Sequence, residues 1–193
     1  MQEYHRRKGS ILKHNRKDLI DSKQRVAIQP NIGLDSDDCR AVVLLLNHTL
    51  ASEMVLAVKT RNAHWNVTGA GFMEQRIILN SQYTQLNETS EKIAERIRVL
   101  GGTVIGDLEE YLQIARIMEH PGEVPGFLEL LADHELSIRF LREGAWKCSE
   151  LYEDVGTHAF LVGILSQHER MAWMLRSNLE PELTNKEPKG SKG

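Results

Sequence analysis

The sequence predicts an all-α protein: a four-helix bundle with a short extra helix between its second and third long helices. Three observations carry this. Apolar residues recur three and four apart through four long stretches, which is helical spacing, and no stretch alternates as a half-buried strand would. Helix-breaking segments fall between those stretches, at Thr68-Gly69-Ala70-Gly71, Gly101-Gly102, Pro121-Gly122 and Pro125-Gly126. At 193 residues and 22.0 kDa the chain is long enough to bury one sizeable core, and it shows no internal repeat.

The elements follow in order. Asn31-Ile32-Gly33-Leu34 closes an N-terminal arm, after which Asp35 or Ser36 can cap a helix whose first turn holds Asp37 and Asp38, favourable at the positive end of the helix dipole. This first helix is predicted from Asp37 to His64, with Val42, Val43, Leu46, Leu50, Met54 and Val58 on its inner face. The second runs from Phe72 to Leu100, with Leu79, Tyr83, Leu86, Ile93, Ile97 and Leu100 inward, and Gly101-Gly102 stops it. A short amphipathic helix from Asp107 to Met118 uses Leu108, Tyr111, Leu112 and Ala115. The third long helix spans 126–150. Asp154 opens the fourth, which Pro181 is expected to end near Glu180. The domain plan is therefore an arm over 1–31, a bundle over 32–180 and a flexible tail over 181–193.

Charge is uneven. Residues 1–25 hold eight basic and three acidic side chains, a net +5; residues 181–193 net +1; the bundle therefore carries −9 of the total −3. An acidic body with a basic arm suits nucleic-acid contact, and Arg6, Arg7, Lys8, Lys13, Arg16 and Lys17 are the candidates; the alternative is a solubilising tail. No apolar run approaching a membrane span and no secretory signal pattern is read from the sequence, and two isolated cysteines, Cys39 and Cys148, suit a reducing cytoplasm.

The chemistry-bearing residues are His64, in Asn62-Ala63-His64-Trp65-Asn66, and the pair Glu91 and Glu95, four apart and so on one helix face. A histidine with two carboxylates is a mixed nitrogen and oxygen set that suits iron, manganese or zinc. None of the eight histidines has a glutamate three residues before it, which excludes an ordinary di-iron site built within one bundle from Glu-x-x-His pairs. Without further context, His64 beside Trp65 reads as a packed residue and Glu91 and Glu95 as a solvated face.

At the His64-Trp65-Asn66 and Ala94-Glu95-Arg96 segments the chain resembles the Dps family, the ferritin-like proteins of starved bacteria that store iron and shield DNA; the resemblance runs from Ile32 to Glu180. It implies a ferritin-like bundle, a hollow homo-dodecamer with the short helix at a subunit interface, and a cytoplasmic location, nucleoid-associated if DNA is bound. It also implies a ferroxidase site shared between subunits, with His64 from one chain and Glu91 and Glu95 from its partner holding iron, or zinc in its place. Two positions depart: the family's second histidine falls at Arg76 and its next carboxylate at Asn80. Arginine offers no lone pair and stays charged, so it cannot ligate a metal. Asp133 falls where the family places an acid lining the iron-entry pore. The resemblance thus implies iron storage and protection of DNA, with a weakened or altered site for iron(II) oxidation. The alternative is a non-enzymatic DNA-binding or scaffold homologue that has lost ferroxidase activity.

Overall fold

The computed structural model describes residues 30–184, with side chains through 179. The arm with its basic residues, and residues 185–193, lie outside it. The described chain forms five helices, α1 (Ser36–Asn66), α2 (Phe72–Val99), α3 (Leu108–Ile114), α4 (Phe127–Glu150) and α5 (Val155–Thr184). Helices α1 and α2 form one antiparallel hairpin and α4 and α5 another; the two hairpins pack into the four-helix bundle, and α3 sits on α1 within the crossover between them.

Local chemistry sets the ends. Asp35 caps α1, its carboxylate accepting from the Asp37 N–H at 2.7 Å. At the end of α2 the Gly102 N–H donates to the Ile97 carbonyl at 2.9 Å and the Gly101 N–H to that of Arg98 at 3.0 Å, a paired closure that satisfies the helix's last carbonyls. Gly101 takes φ +78° there, and a Cβ on Gly102 would meet Val43 at 2.5 Å, so both positions require glycine. Asp154 caps α5 through the Thr157 N–H at 2.8 Å.

Two buried clusters fill the bundle. One holds Val42, Val43, Leu46 and Leu50 of α1 with Ile93 and Ile97 of α2 and Leu161 of α5. The other holds Leu56, Leu79, Leu86, Leu130, Met171 and Leu175. By length and composition α1 could cross a membrane, contrary to the reading of the sequence; 61 % of its most apolar stretch is buried within the bundle, and its apolarity answers to the helices around it.

Several sequence expectations shift. Trp65 and Trp173 are 64 % and 60 % exposed, so neither belongs to the core of this chain. Val58 is exposed and Tyr83 only half-buried. Helix α3 ends at Ile114, four residues early, because α1 captures the backbone that follows. His48 Nδ1 lies 2.9 Å from the Ile114 carbonyl, Ser52 Oγ accepts from the Arg116 N–H at 3.1 Å, and Lys59 Nζ donates to the Met118 carbonyl at 3.0 Å. Those bonds strap 114–118 along α1 in place of a further helical turn. Helix α5 runs past Pro181 to Thr184; a proline in the closing turn forfeits one N–H bond yet holds a φ compatible with helix.

Candidate metal centre

His64 ends α1, and the turn at 67–71 brings the start of α2 back beside it. Its imidazole is half-buried. Its pKa is lowered, first by partial burial and then by the charge of Arg76, which places that guanidinium in the electrostatic reach of His64 within one chain. Arg76 and Asn80 are both exposed on α2. Just inside this end, Arg61 lies over the rings of Trp65 and Tyr83, at 5.2 and 5.6 Å from their centroids, adding a second cation on the α1 side.

Glu91 and Glu95 are exposed on one face of α2, one turn apart. Fifteen residues separate Arg76 from Glu91, about 22 Å at the helical rise, so a single chain cannot bring these carboxylates to His64. Glu91 instead neighbours α3: its charge, after burial and the charges of Asp107 and Glu110, helps raise the Tyr111 phenol. Neither glutamate forms an ion pair or side-chain hydrogen bond within the described residues. Among those residues no group of three or more histidine, cysteine or acidic side chains is arranged to hold a metal ion. The described chain therefore keeps these residues apart, with the imidazole and two cations near the start of α2 and the two carboxylates near its end. Arg96, beside Glu95, serves the fold: it donates to Thr157 Oγ1 and to Asp154 Oδ1, each at 2.9 Å, pinning α2 to the start of α5.

Asp133 is tied down within the chain. Its carboxylate lies 2.7 Å from Lys59 Nζ, which also meets Glu129 at 2.7 Å and is itself only 3 % exposed. The trio is lopsided. Burial acts most strongly on Lys59 and favours its neutral form, yet bonds to Asp133 and Glu129 leave its pKa raised. Glu129 is lowered, first by the Lys59 hydrogen bond, whereas burial lifts Asp133 despite the same partner. A charged lysine shared unequally by two carboxylates accounts for all three directions.

Sequence reasoning missed a second polar group, in the bundle interior. Glu53 on α1, His168 on α5 and His134 on α4 are at most 1 % exposed. Glu53 Oε1 lies 2.8 Å from His168 Nε2, and His168 Nδ1 lies 2.9 Å from His134 Nδ1. His168 is thus an interior, hydrogen-bonded histidine. The signal for its partner was present: Glu53 is a lone acid between Ala51 and Val55 on the inner face of α1. Cys39 and Cys148 are buried free thiols, and burial, aided by Asp154, pushes Cys148 up to about 12.

Residues 43–182 match the ferritin-like domain family. The chain is 42 % identical over 154 residues, 78 % of its own length and 86 % of the relative's, to an uncharacterized low temperature-induced protein of Nostoc sp. (strain PCC 7120). It is 34 % identical over 143 residues, 72 % of this chain and 97 % of the relative, to DNA protection during starvation protein 2 of Bacillus anthracis. Its fold matches the crystal structure of a Dps protein from Vibrio cholerae O1, described as a member of a broad superfamily of ferritin-like diiron-carboxylate proteins. That match has a TM-score of 0.73 and 28 % identity, and covers 78 % of this chain and 96 % of the other.

Proposed function

The chain belongs to the Dps family of ferritin-like proteins, and from that premise we propose that it assembles into a homo-oligomeric shell, a dodecamer, that stores iron and protects DNA in the cytoplasm, with an inter-subunit oxidation site weakened by Arg76 and Asn80. The observation that supports the altered site is the reach of the Arg76 charge to His64 in the same chain, while Glu91 stands about 22 Å and Glu95 about 28 Å from Arg76 along α2. A second copy packed antiparallel would bring its Glu91 and Glu95 to this His64 and, with them, to this arginine.

Iron(II) is the substrate at such a site. His64 would supply one nitrogen and the partner's carboxylates the oxygen donors. Two iron(II) ions would pass two electrons to one hydrogen peroxide, whose O–O bond breaks to give two waters as two protons are taken up. That reaction consumes both reagents of hydroxyl-radical chemistry. Arg76 works against it in two ways. At ~5 Å and an effective dielectric of about 20 its charge opposes each unit of cation charge by roughly 3 kcal/mol, before solvent screening reduces the figure. Its guanidinium also matches a carboxylate in two-point geometry and can bridge the partner's glutamates where a metal would sit. Zinc fits the remaining donors as well as iron does. Asp133 would line the pore only in competition with its bond to Lys59. The basic arm, Arg6 to Lys17, is the proposed DNA contact.

The same observation favours a second reading, a DNA-binding or scaffold member of the family without ferroxidase activity. The experiment is stopped-flow absorbance of ferric product after mixing iron(II)-loaded protein with peroxide, comparing the parent with Arg76→His/Asn80→Asp. At least a tenfold acceleration is expected, about 1.4 kcal/mol of barrier. Equal, fast rates would show that Arg76 does not hinder the site. Equal, negligible rates would give the scaffold reading the case.

A further inference from the structure

The interior group of Glu53, His168 and His134 borders a cleft. A carboxylate only accepts hydrogen bonds, so His168 Nε2 carries the proton of the 2.8 Å contact with Glu53 Oε1. The ring centroids of His134 and His168 are 5.0 Å apart and their Nδ1 atoms 2.9 Å apart, so the rings meet nearly head-on with a single proton between them. Two lone pairs aimed at each other do not converge on a third point, and this pair holds a proton rather than a metal. That accounts for Glu53 Oε1. Glu53 Oε2 is also buried and has no donor, and the buried hydroxyl of Ser137 has no partner either.

Glu53 and Ser137 both line a cleft of about 230 Å³ between α1 and α4. His48 lines it too; its Nδ1 faces the Ile114 carbonyl and so bears hydrogen. One wall is apolar, chiefly Leu45, Leu141 and Phe140, and the rim is polar, with Thr49, Ser52 and Glu143. Two cations share the lining and are engaged by it: Arg116 lies 4.2 Å over the Phe140 ring and Lys147 is 2.6 Å from Glu143.

We propose that this cleft is a binding site for a small primary alkylammonium compound, its ammonium seated on Glu53 and Ser137 and its hydrocarbon body along the apolar wall. An anion would meet the Glu53 carboxylate. A metal ion lacks the third histidine, cysteine or acidic ligand, since no such group occurs among the described residues, and the apolar wall cannot replace its water shell. An ammonium supplies donors to the two unpartnered oxygens, Glu53 Oε2 and Ser137 Oγ, and a short alkyl chain covers the apolar wall. The volume falls below the usual drug-sized range of about 300–1,000 Å³, which limits the ligand to a handful of heavy atoms.

The test is isothermal titration and saturation-transfer NMR on the full chain, with n-butylammonium as the probe and 1-butanol and butyrate as controls. Butylammonium should bind at least tenfold more tightly than either control. Glu53→Gln keeps the side-chain volume and should weaken the amine at least tenfold. Ala41→Trp, which obstructs the cleft without touching its charge, should abolish binding; it and Ser137→Ala carry the test if the Glu53 variant does not fold. No saturable amine binding up to about 10 mM, where only affinities near −3 kcal/mol would remain, overturns the proposal. Equal binding of butanol overturns it, as does unchanged amine affinity in a folded Glu53→Gln protein. Displacement of the amine by one equivalent of zinc ion alone would assign the floor to a metal instead.

Discussion

Replacing Lys59 by methionine removes one ammonium and keeps most of the stem that packs in the bundle. The ammonium is 3 % exposed and meets Glu129, Asp133 and the Met118 carbonyl. Its loss strands Asp133, whose side chain is only 13 % exposed, more severely than Glu129, which at 31 % exposed is within reach of water. Removing one partner of a buried ion pair typically costs about 3–5 kcal/mol. Allowing Glu129 to rehydrate and Asp133 to escape by protonating lowers the expected loss to about 2–4 kcal/mol, or ~5–15 °C in a chain of this size. Burial already raises Asp133, so its ionised form is a liability that grows as pH rises through its folded pKa and is absent below the unfolded one. The loss should therefore be larger at pH 8 than at pH 5. Urea unfolding of the parent, Lys59→Met and Lys59→Met/Glu129→Gln/Asp133→Asn is the assay. The triple variant, with no charge left unpaired, should regain most of the loss. A single-variant loss under about 1 kcal/mol, or a triple variant no better than the single, would refute the view that a buried charge anchors this corner.

The remaining expectations concern pH, assembly and the arm. His134 is held well below its ordinary pKa by burial and by His168, so it contributes stability present above the unfolded value of 6.5 and lost as pH falls below it. Between pH 6.5 and 5.5 that loss approaches ~1.4 kcal/mol per pH unit, and His134→Gln should flatten the slope; parallel pH profiles for the two proteins would count against it. Exposed Leu108, Leu112 and Met118 around α3 form apolar surface that a lone bundle leaves bare, so light-scattering chromatography should give a dodecamer-sized species, and a monomer peak at micromolar concentration would remove the shared site. Deleting residues 1–25 should abolish a DNA gel shift that in the parent weakens steeply with salt; an unchanged shift would reduce the arm to a solubilising tail.

The helices and their caps were legible in the sequence because they depend on local chemistry. Asp35, Asp154 and Gly101-Gly102 act on backbone within a few residues, and apolar spacing alone selects the inner faces of α1 and α2. The candidate metal residues were legible as a pattern, and so was the anomaly at Arg76 and Asn80, since residue type alone decides that an arginine cannot ligate. What only the tertiary structure decided is which groups meet. Glu53, His168 and His134 stand far apart in sequence and share one buried proton chain because three helices converge there. Asp133 turned to Lys59, α3 stopped at Ile114 and the Arg76 charge came within reach of His64 for the same reason. A side chain's donors and acceptors are fixed by its identity. The partner that satisfies them in a water-poor interior is fixed by packing, and packing pairs residues that the sequence leaves far apart.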